Sequence, residues 1–263
     1  MTVTAVSRCL TLLELLACES EPIELAELVQ RLDLPASAVH RLITTLVNHG
    51  WVTQDAVRQK YALSLRMNTL AFRHLDACYV PDIIQSVLDK LAQETREYCR
   101  IAILENKKLV WAARAQGATT GLRYDPDDMG QDIALHATAH GKAWLASLPE
   151  EEAFKIAYSS GFGSESKLGP NAVRTIDELR ATLNETRQRG FATSINEAED
   201  GTAAIAIPFH DGPDSDAPIA GTISVAGLLA RIKEDRWPEI LDALHSAAKE
   251  ISEIWPMRKR QRR

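Results

Sequence analysis

A chain of 263 residues with 45% hydrophobic content suits one large domain or two ordinary ones, and is too apolar for general disorder. No run approaches the roughly 18 to 20 apolar residues of a membrane helix, and the first residues lack a basic region and a small-residue cleavage site, so a cytoplasmic protein without membrane contact is expected. The net charge of −6, taken whole, speaks against nucleic acid, and Cys9, Cys18, Cys78 and Cys99 show neither C-x-x-C nor zinc-finger spacing, so they are expected to be buried thiols.

The first segment, "AVSRCLTLLELLAC" over residues 5–18, places Val6, Cys9, Leu10, Leu13, Leu16 and Ala17 at helical spacing. After a break at "ESEP" come two more helical patterns, "IELAELVQRLD" and "PASAVHRLITTLVNHG". Pro35 suits a first turn and Ser37 can cap. Val39, Leu42, Ile43, Leu46 and Val47 form the apolar stripe of the third helix, which leaves Ser37, His40, Arg41, Thr44, Thr45 and Asn48 on the outer face. Gly50 ends that helix, and "WVTQDAVRQKYALS" alternates about a turn as a two-stranded hairpin does.

This order is that of a winged helix-turn-helix. Charge is segregated to match: residues 1–34 carry two basic and six acidic side chains, whereas residues 35–75 carry five basic (Arg41, Arg58, Lys60, Arg66, Arg73) against Asp55 alone. Arg41 suits guanine or phosphate; Ser37, Thr44 and Thr45 suit phosphate oxygens; Arg58 and Gln59 fall at the wing tip. A small helical docking domain would share the same pattern. The stretch "SLRMNTLAFRHLDAC", residues 64–78, continues helically, so domains are expected at 1–63 (DNA-binding), 64–80 (helical linker) and 81–256, with "MRKRQRR" as a solvated basic tail over 257–263.

Beyond the linker, Pro81 opens a helix through "PDIIQSVLDKLAQETREY". The stretches "CRIAILEN", "KKLVWAARAQ" and "GLRYD" are short and strand-like, with an Asn-Lys turn between the first two. Helical patterns follow at about 150–158 and 175–189, strands at "FATSI", "TAAIAIPFH" and "PIAGTISVAG", and a last helix at about 234–255. Strands with helices before, between and after them make the second part α+β, a sheet with helices on one or both faces.

With "AVSRCLTLLELLA", "LPASAVHRLITTLVNHGWV", "LHATAHGKAWLASLP", "RGFATSINEAEDGTAAIAIPF" and "AGTISVAG" in this order, nearly the whole chain resembles the IclR-type bacterial transcriptional regulators. The resemblance implies a winged helix-turn-helix joined to a GAF-like effector-binding domain, dimers that pair into tetramers on an operator, and a small organic acid or aromatic catabolite as effector. It implies no cofactor and no catalysis.

The stretch "LHATAHGKAWLAS", residues 135–147, carries the chemistry. His136 and His140 stand at the four-residue spacing of a zinc helix, but Ala137 replaces the glutamate of H-E-x-x-H, and no third ligand is evident. A metal-dependent hydrolase using this pair is the rival reading. A phosphate loop would need a glycine where His136 stands, and a calcium loop beginning at Asp125 (with Asp127 and Gly130 in place) would need a glutamate there. A helix N-terminus serving as an anion site remains: the main-chain N–H groups of Ala139 and His140 sit at the positive end of the helix dipole.

The matching family positions contribute amides to the effector in this manner. His140 departs from them, since that position is usually small. The resemblance also carries over Ser194, where relatives often have an acid, Ala204, where some have cysteine, and Ser224 with Ala226 on the late strand. Residues 123–133 are expected to cover the pocket, with Arg123, Tyr124, Asp125, Met129 and Ile133 placed loosely because "YDPDD" looks one residue long. A small carboxylate is the expected ligand, and the alanines leave room for an aromatic acid.

Overall fold

The structure is a computed structural model that describes residues 3–78, 80–126, 131–162, 168–214 and 216–257. Met129 and the basic tail from 258 therefore lie outside the described residues. Two compact units make up the chain, Met1–Ala77 and Cys78–Arg263.

In the first unit, α1 (Thr4–Ala17), α2 (Leu25–Leu32) and α3 (Ala36–Asn48) precede an antiparallel hairpin of β1 (Val52–Gln54) and β2 (Tyr61–Leu63), and α4 (Arg66–Cys78) follows. Leu12, Leu16, Leu28, Val39, Ile43 and Leu46 close over Val52 and Tyr61 in one core, because each helix repeats its apolar residues every three or four places. The stripe of α1 is rotated from expectation: Leu12 is fully buried, while Val6 and Leu10 are more than half exposed. Apolar residues almost all round α1 left its inward face undetermined until α3 and the hairpin packed on it. The expected Ser37 cap is not made. Pro35 takes the extended N-cap position, which leaves Ser37 already inside the first turn.

In the second unit, α5 (Val80–Thr95) leads into β3 (Tyr98–Glu105) and β4 (Lys108–Gln116). Helices α6 (Ala139–Ala146), α7 (Glu150–Ser159) and α8 (Ile176–Arg189) follow. Strands β5 (Ala192–Ile195), β6 (Thr202–His210) and β7 (Ile219–Leu228) and the helix α9 (Trp237–Ile254) complete it. The five strands form one sheet in the order β4-β3-β7-β6-β5, antiparallel throughout. Asn106 and Lys107 both take positive φ in the β3–β4 turn, the geometry of a two-residue primed turn.

Two expectations fail here. The helix stops at Thr95 because Arg96 turns left-handed, so Tyr98 begins a strand. The "GLRYD" stretch is irregular rather than extended: β3 is already paired on both sides, and the loop is instead tied down by side chains. Gln116 donates to Tyr124 O at 2.7 Å, and Arg231 donates to Leu122 O while holding the buried Glu97 at 2.8 Å. Of the cysteines, Cys99 is buried as expected and burial pushes its thiol up to about 12. Cys9 is half-buried and Cys18 exposed, since both sit on the outer part of α1 and its end; the Cys78 side chain lies outside the described residues.

Strand alternation divides the sheet into two faces. Cys99, Ile101, Ile205, Ile207, Ile223 and Val225 pack against α5 and α9 in the larger core. Tyr98, Arg100 and Ala102 of β3 point the other way, with Thr222, Ser224 and Ala226 of β7 beside them. Ala204 and Ala206 of β6 and Ser194 of β5 continue that face, and the N-terminal end of α6 rests on it through Ala139 and Ala143.

Candidate functional site

The face of α3 opposite the core presents Ser37, His40, Arg41, Thr44 and Thr45, all exposed. No ion pair joins Arg41 or Arg58 to an acid among the described residues, although Asp55 lies near enough to Arg58 to feel its charge, whereas Lys60 reaches Glu24 at 3.4 Å and Arg66 lies over the Trp51 ring. The acids of the neighbouring helices are drawn off: Arg31 bridges Glu19 and Glu27. Thr45 donates to Arg41 O. In the wing, Asp55 accepts from the amides of Val57 and Arg58, which leaves Val57 and Arg58 exposed at the tip. Gln59 is a strut: its Nε2 donates to Ala56 O and its Oε1 accepts from Gln54.

In the second unit Ala204, Ser194, Ser224 and Ala226 lie on the sheet face against which the start of α6 rests. The chain turns over Ala134–Thr138, where Ala134 O accepts from Ala137 N, Thr138 N and Thr138 Oγ1. Thr138 then caps the helix by accepting from Gly141 N at 3.1 Å. The amides of Ala139 and His140 make no hydrogen bond to any described residue, as the first turn of a helix requires. A Cβ on Gly141 would lie 2.2 Å from the Leu135 Cα, so glycine permits this turn to fold against the helix.

His140 is 3% exposed. Its Nδ1 lies 2.7 Å from Thr222 Oγ1, its ring meets Trp111 edge-on at 4.9 Å, and its Nε2 is buried with no hydrogen-bond partner among the described residues. Burial, and then the cation of Arg100, holds the imidazole well below its usual value, so it is neutral. His136 faces elsewhere, with its ring against Phe162 at 5.0 Å; burial first, then Lys142 and Arg174, lowers it too. The two histidines thus have separate neighbours.

The remaining positions divide. Ala139, Ser194, Ser224 and Ala226 are buried and Ala204 is half-buried on this face. The Ser194 hydroxyl is committed, since it donates to Ala137 O at 2.8 Å and accepts from Ala198 N at 3.3 Å. Ile133 packs with Leu135 and Trp144. Tyr124 sits edge-on to Tyr98 at 5.7 Å, while Arg123 and Asp125 are exposed. Lys142, 1% exposed, holds Glu197 at 2.5 Å and ties α6 to the turn after β5.

Sequence reading missed Tyr98, Arg100, Trp111 and Thr222. Arg100 is 6% exposed, with its guanidinium 3.9 Å from the Trp111 ring centre and 5.3 Å from that of Tyr98. A cation inside the otherwise apolar run "YCRIAIL" was the signal available.

A head of three helices and a hairpin in this order is a winged helix-turn-helix. The helix-turn-helix model of the IclR family matches residues 5–56, and the model described as Bacterial transcriptional regulator IclR C-terminal matches residues 72–253; the chain belongs to the IclR family. It is 29% identical over 250 residues to the transcriptional repressor IclR of Escherichia coli, covering 95% of this chain and 89% of that one. It is 29% identical over 254 residues to the HTH-type transcriptional regulator KdgR of Dickeya chrysanthemi, covering 95% and 79%. Among solved structures, an IclR regulator from Alicyclobacillus acidocaldarius superposes with a TM-score of 0.79 at 22% identity, over 96% of this chain and 98% of that one. An IclR homologue from Microbacterium hydrocarbonoxydans, complexed with 4-hydroxybenzoate, gives 0.73 at 22%, over 94% and 97%. These relatives are regulators, so the hydrolase alternative falls; no described helix is long and apolar enough to cross a membrane.

Proposed function

We propose that the chain is a cytoplasmic, effector-responsive regulator that binds a pseudo-palindromic operator of a catabolic operon as a homodimer or tetramer. The α3 face and the wing engage DNA: Arg41 reads base edges or phosphate, Ser37, His40, Thr44 and Thr45 contact the backbone, and Arg58 with the Gln59-braced wing tip lies along the adjacent groove. The effector is a small carboxylate held at the start of α6 in a GAF-like second domain, with Ala204, Ser224 and Ala226 beneath it. Binding that favours one arrangement of the sensor shifts the population of DNA-competent heads, and about 1–3 kcal/mol of coupling is enough for a 5- to 150-fold response.

One observation carries the sensing half of this reading. Among the described residues, two main-chain amides at a helix N-terminus and a buried imidazole nitrogen all lack partners at one place. The relative complexed with 4-hydroxybenzoate supports an aromatic acid as one member of the effector class. The test is retardation of the protein's own promoter region at low salt, repeated with added small acids. A regulator retards the fragment, loses it with rising salt and changes affinity with one of the acids. Failure to retard it at any salt overturns the reading.

A further inference from the structure

We propose that the wing selects A·T base pairs: Val57 and Arg58 at its tip enter the minor groove beside the half-site, and Val57 is the residue that rejects G·C there. This rests on the DNA-binding reading above, and it gives a role to Val57, which lies between the residues that local chemistry points to.

Val57 is 90% exposed, the highest value for a large apolar side chain among the described residues. A single exposed valine on an unbraced loop would call for no explanation. Here the loop is closed. Asp55 Oδ1 accepts from the amides of Val57 at 2.7 Å and of Arg58 at 3.0 Å, Gln59 N donates to Asp55 O at 2.9 Å, and Asp55 N donates to Lys60 O at 2.8 Å. Gln59, at a φ of 54°, donates from Nε2 to Ala56 O and accepts from Gln54. Gln54 in turn donates to the hydroxyl of Tyr61 at 3.0 Å, which ties the turn to a core residue. These polar groups are spent on the turn itself, and the tip offers a partner two methyl groups and a guanidinium.

That pair of groups suits one surface of DNA. Phosphate contact calls for hydroxyls, amides or cations, and a valine adds nothing to it. The minor groove over A·T pairs is narrow, its negative potential draws arginine, and its floor carries acceptors alone. Apolar side chains pack into such grooves. At a G·C pair the guanine amine projects into the groove. Against Val57 it would lose water without gaining an acceptor, and a guanidinium, which only donates, cannot supply one. Bracing strengthens the discrimination, because a turn ordered before binding cannot swing Val57 aside without breaking its own hydrogen bonds.

The experiment uses the full chain and the fragment of its own promoter that it retards. Hydroxyl-radical footprinting marks the minor groove flanking the α3 contact, and each base pair there is made A·T, inosine·C or G·C in turn. Inosine·C keeps the major-groove edge of G·C but lacks the amine in the minor groove. Wild type, Val57→Ile, Val57→Ser and Arg58→Gln are titrated against each set; both positions are exposed, so the fold is not at stake. At one or more flanking positions wild type is expected to bind A·T and inosine·C alike and G·C roughly five- to thirtyfold more weakly. Val57→Ile keeps that ratio, Val57→Ser removes most of it, and Arg58→Gln weakens the A·T fragments more than the G·C ones. If no flanking position discriminates, if inosine·C binds as weakly as G·C, or if Val57→Ser keeps the wild-type ratio, the wing does not read base pairs and DNA binding by α3 still stands. If no fragment is retarded at any salt, the DNA-binding reading falls and takes the wing with it.

Discussion

Replacing Glu197 by glutamine removes the carboxylate that is ion-paired with Lys142, and the structure allows the cost to be worked out. The pair is 2.5 Å apart, and Lys142 and Glu197 side chains are 1% and 12% exposed. At an effective dielectric of 20 their attraction is about 7 kcal/mol, but desolvation costs several kcal/mol per ion, so the net worth of the intact pair is small. Burial in fact dominates both titrations, pulling the ammonium down and pushing the carboxyl up against their mutual attraction. Breaking the pair is different, because Glu197→Gln strands a charge that has no access to water; the expected loss is about 3–5 kcal/mol. Lys142→Met costs less, since Glu197 keeps some exposure and a hydrogen bond from the Ile195 amide. The double variant is more stable than the sum of its parts predicts. Urea unfolding of the full chain followed by circular dichroism measures all three. A loss below about 1 kcal/mol for Glu197→Gln, or strict additivity in the double variant, would show that the pair does not anchor α6.

Arg41→Ala should weaken operator binding across sequences and reduce the slope of log affinity against log salt by about one if Arg41 meets phosphate; an unchanged slope with relaxed specificity would place it on a base edge instead. Gly141→Ala should destabilise the second unit by at least about 1–3 kcal/mol, because its Cβ meets the Leu135 backbone rather than a yielding side chain; a melting temperature equal to wild type would refute the close approach. His140 and His136 are both held below the ordinary imidazole value. The unfolded chain therefore takes up protons that the folded chain does not, so stability is complete above the unfolded value and falls as pH drops through it. His140→Ala should flatten that fall by up to about 1.4 kcal/mol per pH unit, measured as denaturation midpoints between about pH 7.5 and pH 5.5.

The helices and strands were legible because each carries its own period: Val39, Ile43 and Leu46 mark one side of α3, and the alternation of β6 and β7 marks two faces. Ser37 and Gln59 show where local reading stops. Ser37 has the chemistry of a cap, yet Pro35 takes that place; Gln59 has the chemistry of a phosphate ligand, yet it braces the wing. At the start of α6, Ala139 and His140 were readable from a motif local in sequence, whereas Ser194 spends its hydroxyl on Ala137 O.

What the chain determined by itself was the order of its elements, the acid-free face of α3 and the helix start at Ala139, since all three depend on residues within a few places of one another. Tertiary structure alone decided that His140 reaches Thr222, 82 residues away, and that one Trp111 ring meets both His140 and Arg100. Sheet register sets those neighbours: the order β4-β3-β7-β6-β5 brings strands from both ends of the domain side by side, and no local periodicity encodes which strand will be next to which. The same register lowers the His140 imidazole, because burial and a nearby cation act through space rather than along the chain.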